Sequence, residues 1–387
     1  PDTRGPFSLE CRLTDPIDGL VEAAADLSNA LDDLAKPMTA LANRLVRLLD
    51  EEAETLDTPS RGRLDAASRS LQQRAEAVTA WCQMLDAVGG VTPPDFVDWV
   101  EVERMGGRER DVGLHRHWVD PTQPFSEAVL EPSHGVLVTS ATLRDGAAEP
   151  DDWRSAEVRT GAAHMVLPGE RISAPSPFEY GEQARVYVVT DVNKRSLEQV
   201  AGAYRALIEA SGGGALGLFT AIQRLKSVYG QIASPLEDAG LPVYAQHMDP
   251  MDTGTLVDIF RAEPQASLLG TDAVRDGVDV PGQSLRLIVF DRVPWPRPTI
   301  LHQARKAAFG PKTYDDLLVR LRLRQAFGRL IRARSDRGVF VLLDHQAPSR
   351  LMAGLPDGAQ VERVGLADAT AGVRAFLNPP SPAQSGA

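Results

Sequence analysis

Five arginines crowd into residues 323–338, LRQAFGRLIRARSDRG, of a chain whose formal net charge is −12. Gln325, Arg329 and Arg332 are spaced i, i+4, i+7, so on a continuous helix they fall within about 60° of one another. Leu323, Phe327, Leu330 and Ile331 fall mostly on other faces and are expected to pack. A packed face supporting two guanidinium forks and an amide suits recognition of phosphate oxygens. Further polar residues follow apolar runs: Ser140 and Thr142 in VLVTSATL, Thr220 in LGLFTAIQRLK, and Thr271, Asp272, Arg275, Asp276, Gly277, Asp279 and Gly282 in LLGTDAVRDGVDVPG. Taken singly, each also reads as a helix cap or a turn. Their order along the chain is what suggests a shared site.

The bulk properties narrow the classes. At 387 residues with 43% apolar content, the chain has room for more than one cored domain. Its mean hydropathy is −0.19, and no run of about 18 apolar residues suggests a membrane span. No charged-then-apolar leader opens it, and Cys11 and Cys82 suit a reducing cytoplasm better than a disulfide framework. Two cysteines cannot form a CxxC metal site or hold an iron–sulfur cluster alone. His115-x-His117 offers two metal ligands on one strand face but no evident third, and no GxSxG elbow suggests a serine hydrolase. The acidic balance argues against coating nucleic acid by charge alone. Residues 1–100 carry 9 basic and 18 acidic side chains, however, whereas 270–350 carry 15 basic and 8 acidic. Such asymmetry points to a confined polyanion site.

Around these residues the element pattern changes along the chain. Residues 17–56 and 61–88 have apolar positions at helical spacing and predict an antiparallel α-hairpin, with Pro37 as a kink or break and Gly89-Gly90 as the stop. FVDWVEVER and VGLHRHWVD predict pairing strands, and HGVLVTSATL predicts another. Residues 144–175 read as loop-rich and weakly patterned. From about 178, strands alternate with helices: RVYVVTD, GALGLFTA, VYAQH, ASLLGTD, LRLIVFDRV and GVFVLLD. That alternation predicts an α/β fold with a mostly parallel sheet covered on both faces, and ligands of such sheets collect at the carboxyl ends of the strands. The residues NPPSPAQSGA predict a disordered tail over 378–387.

Taken in order, these motifs resemble those of the DinG/XPD-like branch of superfamily-two DNA helicases, from about residue 130 to about 377. VLVTSATL resembles the family's motif III and GLFTAIQRLKSV its motif IV. LLGTDAVRDGVDVPGQSLRLIVFDRVPWPRP is similar to motif V and the strand after it, and RQAFGRLIRARSDRGVFVLLD to motif VI with its trailing strand. SPFEYGEQARVYV resembles the opening of the second motor lobe. Motifs V and VI together are the specific part. Two departures stand out: Val274-Arg275-Asp276-Gly277 replaces an aromatic-Trp-Glu-Gly run, and Val293-Pro294-Trp295 replaces Leu-Pro-Phe. No GxxxxGK[ST] phosphate loop, Asp-Glu-Ala-His-like stretch or cysteine quartet occurs in the chain.

The resemblance implies the C-terminal half of a longer cytoplasmic, ATP-dependent DNA helicase serving DNA repair. Residues 1–95 would be a helical arch-like domain. Residues 96–170 would be connecting strands, including the last motif-bearing strand of the first motor lobe, and 171–377 a second RecA-like lobe. ATP with Mg²⁺ would be held mainly by the missing first lobe, where an iron–sulfur cluster would also sit if there is one. Arg332 and Arg329 would act as arginine fingers with Gln325 nearby. Gly277, Asp279, Asp276, Ser140 and Thr142 would couple the nucleotide to movement. Thr220, Arg224, Lys226, Thr271 and Arg275 would contact single-stranded or forked DNA, with 5′→3′ movement. The fragment alone would hydrolyse little ATP. The alternative from another class is a non-enzymatic nucleic-acid or protein adaptor built on a helicase lobe.

Overall fold

The structure, a computed structural model, describes residues 8–13, 16–105, 107–147, 151–271, 279–280 and 282–378. In chain order the described elements begin β1 (Leu9–Arg12), α1 (Leu20–Glu51), α2 (Thr58–Asp86), β2 (Phe96–Met105), β3 (Arg108–Trp118), α3 (Thr122–Phe125), α4 (Asp151–Thr160), α5 (Tyr180–Gln183) and β4 (Ala184–Val189). Next come α6 (Leu197–Ser211), β5 (Ala215–Leu218), α7 (Ile222–Asp238), β6 (Val243–Ala245), α8 (Thr253–Ala262), β7 (Ser267–Gly270) and β8 (Leu287–Phe290). The last are α9 (Ile300–Phe309), α10 (Thr313–Phe327), β9 (Gly338–Leu342), β10 (Val361–Val364) and α11 (Leu366–Leu377). The chain divides into two compact units. One runs to Pro121 and takes in Pro298–Ala308; the other comprises Thr122–Arg297 and the chain from Phe309.

In the first unit, α1 and α2 form the expected antiparallel hairpin. Asp57 caps α2 by accepting a hydrogen bond from the Ser60 amide at 2.7 Å, and Pro59 occupies the first turn. The seam is built from small residues, Ala24, Ser28, Ala35 and Ala42 on α1 against Ser68, Ala75, Val78 and Leu85 on α2. Within it Ser28 Oγ donates to Asp86 Oδ1 at 2.6 Å and Ser68 Oγ to the Ala42 carbonyl at 3.2 Å. Pro37 lies inside α1 without ending it: tertiary packing along the seam outweighs the lost backbone bond. β1, β2 and β3 form an antiparallel sheet. On it His115 and His117 both stack on the buried Trp99, each with ring centroids 5.0 Å away.

The second unit holds a seven-stranded sheet in the order β10-β4-β9-β8-β5-β7-β6, with every described pairing parallel. Its strands are apolar on both faces. In β4, Val186 and Val188 enter one core while Tyr187 and Val189 enter the other, and β9 divides Phe340 and Leu342 from Val339 and Val341 likewise. Both faces are therefore covered by helices, and the fold is the α/β architecture the alternation predicts. The edge strand β10 and α11, which carry no marked sequence signal, complete it.

One expectation needs correction. VLVTSATL is not a strand: residues 135–140 have no regular secondary structure and pair with no described strand, and Val136, Leu137 and Val138 are 51%, 82% and 46% exposed. An apolar, β-branched run has the composition of a strand, but it needs a ladder partner and a covering layer, and the second unit's own sheet supplies neither. Within the loop-rich stretch 144–175 the structure also places α4. Its polar sequence DDWRSAEVRT carries little periodicity, and it is seated by Asp152 and Ala156, both nearly fully buried. The tail 379–387 lies outside the described residues.

Candidate functional site

The arginine segment is built differently from a single helix face. Helix α10 ends at Phe327, where the Gly328 amide donates to the Arg324 carbonyl at 2.9 Å, and a tight turn follows through Arg329 and Leu330. The spacing argument thus fails beyond Phe327, for a local reason. Buried Asp336 draws the chain out of the helix, accepting at Oδ2 the amides of Arg332 at 2.8 Å and Ala333 at 2.7 Å. The loop is also held from the other side. Gln183 Nε2 donates to the carbonyls of Ala333, Arg334 and Asp336, at 3.1, 3.1 and 3.2 Å. Leu323, Phe327, Leu330 and Ile331 are all buried, as their interleaving predicts. Gln325 is exposed and Arg329 half-buried.

Arg332 leaves this fixed loop with its side chain 38% exposed, and its Nη1 lies 3.1 Å from Oδ1 of Asp279, itself 71% exposed. An ion pair so open to water is worth about 0–1 kcal/mol. Arg332 is therefore well placed by its backbone but weakly committed by its side chain. The structure brings together two residues expected to act around a nucleotide. Ser140 and Thr142 also meet: their hydroxyl oxygens lie 3.1 Å apart, and Ser140 Oγ accepts the Thr142 amide at 3.1 Å.

A second cluster sits at the carboxyl ends of β8, β5 and β7, which are neighbours in the sheet. Leu218 pairs with Phe290 on one side and Gly270 on the other, so Thr220 and Arg292 leave the sheet at the same level and Thr271 one residue earlier. Asp291, fully buried, accepts the Thr220 amide at 3.2 Å and Arg224 Nε at 2.5 Å. Arg292 Nε donates to Thr220 Oγ1 at 2.5 Å. Burial pushes the Asp291 carboxyl above its ordinary value, against the pull of the Arg224 guanidinium. Nearby, the buried Tyr204 hydroxyl donates to the Val289 carbonyl at 3.0 Å, and burial holds its pKa well above the usual phenol value. Thr271 donates through both its amide and its hydroxyl to Gln246 Oε1, at 3.1 and 3.0 Å.

This geometry sorts the residues expected to meet nucleic acid. Arg224, only 14% exposed, is committed to Asp291 and supports the cluster from within. Lys226 is exposed on α7. Asp272, Arg275, Asp276 and Gly277 lie outside the described residues. Sequence reasoning missed Asp291 and Arg292. The signal available was an acid–base pair directly after the apolar run LRLIVF, at a strand end. Among the described residues no group of three or more His, Cys, Asp or Glu could hold a metal ion.

Residues 204–355 match the helicase C-terminal domain family. Over 236 residues the chain is 32% identical to the ATP-dependent helicase DinG of Mycobacterium tuberculosis, covering 58% of this chain and 33% of that protein. The chain is related to the DinG-like helicases. The ATP-dependent DNA helicase YoaA of Escherichia coli is 27% identical over 325 residues, covering 78% of this chain and 48% of that one. The 3′-5′ exonuclease DinG of Bacillus subtilis is 25% identical over 333 residues, covering 82% and 35%. The chain thus spans less than half the length of each of these relatives. Their names differ in the reaction they describe, so what this chain does is a matter for proposal. No described helix of this chain is long and apolar enough to cross a membrane.

Proposed function

We propose that this chain is the arch-like region and second motor lobe of a cytoplasmic ATP-dependent DNA helicase, moving 5′→3′ on single-stranded or forked DNA. The observation that carries the reading is Arg332: a guanidinium on a loop fixed by Asp336 and Gln183, paired only weakly to the exposed Asp279. Such a group can exchange its partner for the γ-phosphate of ATP, and the fixed loop means little reorganisation accompanies the exchange. Arg329 and Gln325 flank it, and Asp279 and the Ser140–Thr142 turn pass the change in charge to the rest of the motor. Mg²⁺ would neutralise charge on the phosphates; its ligands, the phosphate loop and any iron–sulfur cluster are assigned to another lobe of the same protein. The exposed run Val136–Val138 supports that assignment, because it has the makings of a strand and lacks a sheet here.

Thr220, Arg292, Lys226 and Thr271 would meet the phosphates of the strand along the carboxyl edge, a contact that reads no sequence and weakens with salt. By itself the chain should turn over little ATP. The test is single-stranded-DNA-stimulated ATP hydrolysis by the intact protein, wild type against Arg332→Ala. A fall of about 10³-fold or more with nucleotide binding kept is the expected result for a lost finger. Unchanged turnover would sink the assignment.

A further inference from the structure

Between the Ser140–Thr142 turn and α4, the chain passes through a polar clamp that neither the motifs nor the relatives account for. Asp145 is 1% exposed, and its Oδ2 accepts both Nε and Nη2 of Arg320 on α10, at 3.1 and 2.5 Å. Its Oδ1 takes the Ala147 amide at 3.2 Å. One turn further along α10, Arg324 Nη1 donates to the Arg144 carbonyl at 3.0 Å. The Arg144 side chain in turn reaches buried Asp152 at 2.5 Å, and Arg159 donates to the Leu143 carbonyl. Gly146 has φ +80°, and a Cβ built there would lie 1.9 Å from the Ala353 carbonyl oxygen. Gly354, next to that carbonyl, is pressed on Arg320: a Cβ built there would lie 2.8 Å from the Arg320 Cα. Residues 143–147 therefore have no slack against α10.

We infer that Asp145 and Arg320 are positioning residues that make the Ser140–Thr142 turn and the arginine helix one mechanical body. This rests on the motor-lobe reading above. α10 runs from Arg320 through Arg324 to Phe327, directly before the turn carrying Arg329 and the loop carrying Arg332. On the other side, only Leu143 and Arg144 separate Asp145 from Thr142, and upstream of that turn the exposed run 136–138 is not held by this unit's sheet. A shift imposed on the 136–142 segment then reaches the arginine loop through the clamp rather than being absorbed between them. A buried fork of this kind is a costly way to fasten two segments, since an apolar contact would avoid the desolvation penalty. What the pair adds is fixed direction: two donors of one rigid guanidinium converging on a single carboxylate oxygen restrict the angle as well as the distance.

The experiment uses the intact protein and reads ATP turnover with and without single-stranded DNA, the KM for ATP, and the thermal melt. The variants are Asp145→Asn, Arg320→Lys and, as a control, Arg332→Ala. Clamp variants should melt as folded proteins, keep DNA-free turnover and KM, and lose about 10- to 100-fold of DNA-stimulated turnover, the scale of a small misplacement remote from the chemistry. Arg320→Lys, which keeps the charge but not the fork, should be the milder of the two. Stimulation kept within twofold in folded variants would overturn the coupling role, as would loss of fold in both, which would make the pair a folding element. Full turnover in Arg332→Ala would instead count against the motor reading itself.

Discussion

Asp291→Ala tests whether the strand-end cluster is anchored by one buried carboxylate. The substitution deletes the acceptor for the Thr220 amide and for Arg224 Nε, and strands a guanidinium that is only 14% exposed. A neutral backbone bond contributes about 1 kcal/mol and a charged one about 1.5–3 kcal/mol. Leaving a buried charge uncompensated typically brings the loss to about 3–5 kcal/mol. For a unit of this size that is a fall in Tm of about 10 °C. The measurement is urea unfolding combined with native-state hydrogen exchange at the β5 and β8 amides, which reads the second unit alone. Replacing both partners, Asp291→Leu with Arg224→Met, should recover most of the loss, because no orphaned charge remains. A loss below about 1 kcal/mol for Asp291→Ala, or a double variant as unstable as the single one, would refute the account.

Two further outcomes follow from the same geometry. Arg292→Ala should leave stability nearly unchanged, since the side chain is 39% exposed, and should lower the slope of log K against log salt for single-stranded DNA by about one contact; an unchanged slope would remove Arg292 from the interface. In the first unit, burial works against ionisation of Asp98, but the fork from Arg116 at 2.8 and 2.7 Å and the bond from Thr92 outweigh it and hold its carboxyl below the ordinary value. A depressed carboxyl contributes stability above its unfolded pKa near 3.9 and loses it as pH falls through the folded value. Acid unfolding of that unit followed by hydrogen exchange at β2 and β3 should therefore shift in Asp98→Asn, and identical acid profiles would contradict the assignment.

The legible parts of the fold were those in which one signal dominates. β4, β8 and β9 are apolar on both faces and are bounded by turn residues, and the α-hairpin repeats small and apolar residues along its seam. β10, VERV, lies at an edge with its first three residues exposed, so no hydrophobic pattern marks it. VLVTSATL misled because composition reports what a segment is suited for and not whether a partner sheet is present. At the arginine segment, residue types were informative and geometry was not. Whether a helix runs on past Phe327 is decided by Asp336, nine residues later, through two hydrogen bonds that no spacing rule registers. Arg224 illustrates the same limit: its spacing suits an exposed helix face, and its partner Asp291 is 67 residues away.

The basic excess over residues 270–350 also reads differently once individual described guanidiniums are located. Arg286 spends its donors on the carbonyls of Ser211, Gly212, Pro264 and Gln283, tying strand and loop ends together. Arg320 is held by Asp145, and Arg322 reaches the Pro294 carbonyl. These charges are already balanced or buried, so they add little to the field felt by a polyanion. Arg332 and Arg292 differ: each is more than a third exposed, each starts from a fixed backbone, and each meets a partner that water can replace. Net charge by segment therefore overstates the anion-binding surface. The groups able to trade partners with a phosphate form a short set, and the locked arginines matter to function through the positions they enforce on that set.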